Sequence, residues 1–404
     1  MWNYGGMASG GFPLGVVVYR CGRLMVAYIV TFNEAGSSNI GDVAINAGLV
    51  NCLRGLGVDP GQILAVGLQS GQRVSASPSC PNGTERSEGR KILDRLPAAL
   101  YYSMWVFRYV VRFLRLRHEL KSAKLFIIGG GGIIMDNKSQ FATAMAIVAL
   151  FARLYRIPTA CLGVSAADKR GWLSDWLFRF SLRRMNMVFA RDDESRATIE
   201  KLSGVTCGVC GDFAFSSVQL VQRAAPSLVL INVSSMVSMP QVEYFEWLKR
   251  LANAYAPSDI RLFTTGDLED FELAKKFAAS DGRTLVVFHC VQLSDYVGLL
   301  QQAKQVFASR LHAGIIALAG GVPCSMLAVG SKQRNFFRSV GLAHCVLEPS
   351  MPTPAPGSDL GVSTSELRSS QIDLCSSALR QALSLAKSNG VDTFLPPVRD
   401  QGQV

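Results

Sequence analysis

The 404-residue chain lacks any run able to cross a bilayer. Its longest charge-free segments are "FATAMAIVALFA" (141–152) and residues 313–331. The first falls short of the roughly 20 apolar residues a span requires. Gly320, Gly321 and Pro323 interrupt the second. Both read as buried helices of a soluble protein. A clean secretory leader is missing too: Arg20 and Arg23 sit just before the strand-like "MVAYIVTF", behind a Gly-rich segment and with no small-residue cleavage site. Residues 1–24 read as a disordered or mis-assigned extension. Histidine is scarce, at four, so each one carries weight. The ten cysteines form no spacing framework, which suits a reducing cytoplasm. One "CGVC" (207–210) has no second CxxC and no nearby histidine, and so reads as two small loop or strand residues. The glycine-rich "IIGGGGIIMDN" (127–137) is not GxGxxG and has no acidic residue placed for a ribose, which argues against a dinucleotide.

Acidic residues are also few. Lys and Arg number 41 against 30 Asp and Glu, a net charge of +11. Such an excess suits nucleic acid, an anionic membrane face or a phosphorylated substrate. Residues 104–124, "MWVFRYVVRFLRLRHELKSAK", interleave Arg108, Arg112 and Arg115 at helical spacing with Trp105, Phe107, Val111 and Phe113. This predicts a helix that can lie on an acidic lipid surface, or an ordinary domain helix with a solvated basic face. Nucleic acid is disfavoured, because the aromatics fall on one buried helical face and offer no open stacking platform.

Strand-like and helix-like runs alternate. "VAYIVTF" (26–32), "KLFIIGG" (124–130), "PTACLGVS" and "MVFARD" (187–192) read as strands, with helices over about 42–56 and 139–156 and from about 193. The pattern restarts at "SLVLINVS" and continues through "IRLFTT", "TLVVFH" and "QVFAS", each followed by a helix. Alternation of this kind predicts an α/β chain with parallel sheets covered on both faces. The organisation expected is two doubly wound Rossmann-like domains, 25–220 and 225–349, facing each other across a cleft as in the GT-B glycosyltransferases. A Pro/Ser/Gly-rich loop, a C-terminal helix (about 369–388) and a tail fill 350–404.

Three places could carry chemistry. "SSNIGDVAI" (37–45) puts Asn39, Gly41 and Asp42 in a turn before a helix, with Asp42 as the expected N-cap and free amides for an anion. Gly130, Gly131 and Gly132 lack β-carbons, so a ligand can approach their backbone as at a pocket wall or phosphate loop. "ASRLHAGIIALAGGVP" (308–323) puts Arg310 and His312 at the carboxyl edge of the second sheet, with Lys332 just beyond. Arg offers a planar fork for phosphate or carboxylate, and His a proton near neutral pH.

Together "NIGDVAI", "GGGGIIMD", "FARDDES" (189–195) and "SRLHAGIIALAGGVP" followed by a Lys resemble the polysaccharide pyruvyltransferases, over about 25–341. The resemblance implies a GT-B-like fold and transfer of pyruvate from phosphoenolpyruvate to a sugar of a cell-envelope or secreted glycan, as a ketal. It implies His312 as general acid, with Arg310 and Lys332 holding the donor's phosphate and carboxylate. It also implies a basic residue in the first domain, for which Arg170 or Lys169 is nearest. This chain has "GVSA" (163–166) where Gly-x-Gly-Pro is frequent, and Val329 where a Tyr is frequent. The expected partners are phosphoenolpyruvate and a nucleotide- or lipid-linked saccharide, without cofactor or metal, at the inner face of the cytoplasmic membrane. Two alternatives remain open here. A nucleotide-sugar glycosyltransferase would need a ribose-holding acid, for which Asp295 or Glu348 could serve. The other is a non-catalytic glycan-binding module.

Overall fold

The structure, a computed structural model, describes residues 29–34, 36–73, 98–135, 140–167, 170–223, 225–256, 258–352 and 364–388. The extension 1–24 and Lys169 lie outside them.

The first lobe holds β1 (Ile29–Asn33), α1 (Ile40–Gly55), β2 (Ile63–Gly67), α2 (Ala98–Arg115), α3 (Arg117–Ser122) and β3 (Leu125–Ile134). It continues through α4 (Gln140–Tyr155), β4 (Thr159–Ala166), α5 (Trp172–Leu182), β5 (Met187–Ala190), α6 (Asp193–Ser203) and β6 (Gly208–Val209). All pairings are parallel, in the order β2-β1-β3-β4-β5-β6. Strand residues alternate between faces, and both faces are buried. Val30, Phe32, Phe126 and Ile128 meet Tyr109, Phe113, Phe151 and Phe178, so α2, α4 and α5 share one side. Ile29 and Ile127 face the other way, onto Ile45 and Leu49 of α1.

The second lobe holds β7 (Leu228–Asn232), α7 (Gln241–Ala254), β8 (Ile260–Thr264), α8 (Leu268–Ser280), β9 (Val286–His289) and α9 (Leu293–Leu300). After these come β10 (Ala303–Ala308), α10 (Leu311–Ala319), β11 (Cys324–Leu327), α11 (Ser331–Ser339) and β12 (Val346–Leu347). Its order is β12-β11-β10-β7-β8-β9, again parallel throughout. In each sheet the order of strand addition reverses once, between β1 and β3 and between β7 and β10. Ligands of open parallel sheets bind beyond the carboxyl ends of strands at such points.

Several elements differ from expectation. Strands β11 and β12 are short, and they and β2 carry no alternation of their own. The expected helix over 313–331 stops at Ala319, because Gly321 takes a φ of +79° and Cys324 then opens β11. The basic segment 104–124 is not one helix; it breaks at Leu116. The glycines 129–132 lie within β3 rather than in a loop after it. Cys207 and Cys210 flank the edge strand β6, both buried.

The last described helix, α12 (Thr364–Ser388), starts earlier than the sequence suggested and returns to the first lobe. The Cys375 thiol donates to the Cys210 carbonyl at 3.1 Å. Cys375 and Leu379 join one apolar core with Leu49, Phe213, Ile315 and Phe336, so that core runs unbroken from lobe to lobe.

Candidate active site

The β1–α1 turn faces the second lobe. Asn39, not Asp42, caps α1, accepting from the Gly41 amide at 2.8 Å. Asp42 is three residues further on, in the first turn, where a carboxylate suits the helix dipole. Burial pushes its carboxyl pKa up, and the His312 charge and the Ser37 hydroxyl oppose that shift. The amides expected to be free for an anion are partly used: Ile40 donates to the Thr265 carbonyl at 3.4 Å. A β-carbon on Gly266, where φ is +98°, would lie 2.0 Å from the Ser38 carbonyl oxygen. The second lobe therefore closes over this helix end.

The glycine run does two jobs. Gly130 admits α1: a β-carbon there would lie 1.9 Å from Ile45. Gly132 borders the cleft, where a β-carbon would sit 3.5 Å from Lys332 Nζ of the second lobe. Gly131 lies between, near Ile45 and the Asp42 carboxylate.

His312 enters from the first turn of α10 and is pinned from the opposite lobe. A β-carbon on Gly41 would come within 2.5 Å of its Nδ1. Its Nε2 stands 3.4 Å from Asp212 Oδ2, within ion-pair range but long for a hydrogen bond. Asp212 is 2% exposed and accepts from the Ala214 amide at 2.9 Å. Burial alone would raise its pKa. His312 and Arg191 outweigh burial and hold it at about 2, so this carboxylate stays charged.

Arg191, at the end of β5, is the cleft's buried cation in the first lobe. It reaches Asp212 and Asp192 at 3.3 Å each, and its guanidinium lies 5.3 Å from the Phe336 ring of the second lobe. Lys332 has no carboxylate in ion-pair range among the described residues. Crowding by protein, and next the Arg191 charge, push its ammonium below the ordinary lysine range.

Two expected cations do not stand free. The Arg310 Nε and Nη2 donate to Asp270 at 2.8 and 2.9 Å, and Nη2 donates to Asp267 at 2.7 Å. Its planar fork is filled by the protein's own carboxylates, which leaves the anion-gripping role expected of it without open donors on that side. Arg170 donates from Nε to Asp175 on α5 at 2.7 Å, and the first-lobe cation whose charge acts on Lys332 is Arg191. The ribose-holding candidates are engaged as well. Asp295 caps α9, accepting from the Val291 and Gln292 amides, and Glu348 pairs with Arg334.

His312, Asp212, Arg191, Lys332, Gly41 and Gly132 thus form one constellation drawn from both lobes. A profile of the polysaccharide pyruvyl transferase family matches residues 39–331, a span that contains all but Lys332, the next residue. The chain belongs to the polysaccharide pyruvyl transferase family. Its class is a transferase of polysaccharide biosynthesis. A search of curated proteins finds no match. Among solved structures, the Staphylococcus aureus MnaA–UDP complex is similar over 87% of this chain and 91% of its own, with 10% identity and a TM-score of 0.51. A UDP-GlcNAc 2-epimerase from Neisseria meningitidis bound to UDP-GlcNAc matches over 88% and 98%, with 11% identity and a TM-score of 0.48. The fold is GT-B-like.

Two members of the constellation were not singled out as site residues by the sequence. Arg191 lay inside the quoted "FARDDES", and its signal was a cation ending a buried strand. Asp212 in "CGDFAF" looks like a turn residue, and nothing local marks it as the partner of His312, a hundred positions away.

Proposed function

We propose that the protein moves the three-carbon unit of phosphoenolpyruvate onto two hydroxyls of one sugar, closing a pyruvate ketal on a cell-envelope or exopolysaccharide precursor. The observation that supports this most directly is the pair Arg191 and Lys332, two cations brought together from opposite lobes beside His312. Lys332 has no counter-ion among the described residues, so an arriving phosphate or carboxylate relieves the repulsion. The donor carries both groups.

His312 delivers a proton to the methylene carbon while a sugar hydroxyl adds at C2. The developing cation is planar and is steadied by the donor's own carboxylate. The C2–O bond to phosphate then breaks, and inorganic phosphate leaves with the electron pair. A second hydroxyl attacks C2 and gives up its proton, so two hydroxyl protons balance the new methyl hydrogen and the one lost to solvent or phosphate. Asp212 keeps the imidazole oriented and balances its charge when protonated. These steps use proton transfer and fixed charge only, without a cofactor. The acceptor we propose is a nucleotide- or lipid-linked saccharide.

The test is incubation with phosphoenolpyruvate and a panel of linked saccharides, following phosphate release and the ketal methyl signal. Acceptor-dependent phosphate release supports the reading. Turnover of a nucleotide sugar with no use of phosphoenolpyruvate would overturn it in favour of glycosyl transfer.

A further inference from the structure

The net charge of the chain is not spread over its surface. Residues 98–186 hold fourteen Lys and Arg against four Asp and Glu, an excess of ten out of a total of +11. This stretch builds α2, α4 and α5, which cover one side of the first sheet. Its described acids are already paired, Glu119 with Arg73 and Asp175 with Arg170. The same helices turn large apolar side chains to solvent. Trp172 is 82% exposed, Leu154 71%, Phe107 70% and Trp176 57%, with Leu114 and Leu150 also exposed.

The arrangement on α5 is ordered. Trp172, Trp176, Phe180 and Arg184 recur every four residues along one stripe, as neighbours on a helix do. Trp176 and Phe180 stack with ring centroids 5.9 Å apart, and the Arg184 guanidinium lies 3.5 Å from the Phe180 ring. Beside Leu154, the residues Arg153, Arg156, Arg184 and Asn186 line a cavity of about 290 Å³ whose lining contains no acidic residue.

We infer that the α2–α4–α5 side of the first lobe docks on an anionic lipid bilayer, with Trp172, Trp176 and Leu154 entering the headgroup layer. The cavity of Arg153, Arg156 and Arg184 seats a lipid phosphate. Exposed indoles with arginines at their margin match the boundary between headgroups and acyl chains. Each cation near such a surface gains from its negative potential. A second copy of the chain would bring the same positive face against itself, and charge opposes that. The basic segment 104–124 supplies part of this surface, but its Tyr109 and Phe113 point into the core; the aromatic contact comes from Phe107 and, chiefly, from α5. Docking in this way would hold the enzyme beside lipid-linked acceptors, yet the inference stands without the proposed reaction.

The test is flotation of the full chain with vesicles of phosphatidylcholine alone and with vesicles of phosphatidylcholine and phosphatidylglycerol in equal parts. Binding should occur to the second kind only and weaken as salt screens the charge. Trp172→Ser with Trp176→Ser should lower the bound fraction by about tenfold or more, with circular dichroism and melting temperature unchanged, because both side chains are exposed. Arg153→Glu with Arg184→Glu should do the same. Equal or absent binding to both vesicle types would overturn the inference, as would wild-type binding by either variant. So would a concentration-dependent dimer that the tryptophan variant dissolves in the absence of vesicle binding.

Discussion

His312 of the second lobe and Asp212 of the first stand 3.4 Å apart, the imidazole's partner being held by a sheet it does not belong to. In the proposed reaction the proton on His312 is thus aimed only while the two lobes are together. His312→Ala should lower turnover by about 10²–10⁴-fold while the fold is retained. Asp212→Asn keeps the shape and removes the charge. It should slow turnover with little change in the donor KM, and the double variant should be hardly slower than His312→Ala alone, as expected for residues acting as a unit. Steady-state phosphate release on the three variants checks this.

Gly41 and Gly48 lie on the same helix and separate catalysis from stability. An alanine at Gly41 meets His312 at 2.5–2.7 Å, so the imidazole must move. Turnover should drop by roughly 10²-fold, the cost of displacing a catalytic group by about an ångström. An alanine at Gly48 meets the Phe213 carbonyl oxygen at 1.8 Å, a backbone atom that cannot swing away. Gly48→Ala should instead cost roughly 1–3 kcal/mol of stability, typical of overpacking. Denaturant melts run beside kinetic assays distinguish the two.

Lys332 has no carboxylate in ion-pair range among the described residues, and its removal should act on donor binding. Lys332→Gln should raise the KM for phosphoenolpyruvate and lower kcat/KM by about 10–100-fold, the loss of one charge-assisted contact. The protein should melt no earlier, because Lys332 and Arg191 repel one another when no anion is bound.

Arg310 should behave in the opposite way. Its partner Asp270 is fully buried and also accepts from the Ser235 amide and hydroxyl at 2.6 and 2.7 Å. Arg310→Ala strands that carboxylate and should cost roughly 3–5 kcal/mol. Arg310→Lys should also destabilise, since one ammonium cannot bridge Asp270 and Asp267 as the fork does. If Arg310 served the donor instead, the lysine variant would keep its melting point and change only KM.

Glu34, at the end of β1, predicts a pH effect. Burial raises its carboxyl to about 7, the Gln69 amide opposes that shift, and Asp42 adds to it. An acid whose folded value lies above its unfolded value of about 4.3 binds extra protons when folded. Its contribution therefore favours folding at low pH and is lost as pH rises from about 4.5 through 7. Glu34→Gln should remove that fall, as denaturation of both proteins at about pH 5 and pH 8 would show.

The alternation of apolar runs revealed both lobes because each strand is buried on two faces and each helix on one. "KLFIIGG" and "IRLFTT" could be placed from their own residues. Strands β11 and β12 could not, since they are short and their neighbours supply the burial. In the site, His312 was legible as a histidine opening an apolar helix at a sheet edge. Arg310 looked like its companion in donor binding because adjacent residues share an edge. Its fork is instead occupied by Asp267 and Asp270 of the same lobe.

The amino-acid sequence by itself set the two parallel sheets, the strand-end histidine and the concentration of positive charge between 98 and 186, because periodicity and composition are local properties. The tertiary structure alone decided which cations are free and which carboxylate meets the imidazole. Ion pairs form between whichever groups the folded lobes bring within a few ångströms, and Arg191, Asp212, His312 and Lys332 come from four separate elements. That distance in sequence is why neither spacing nor residue type could have joined Arg191 and Asp212 to His312 and Lys332.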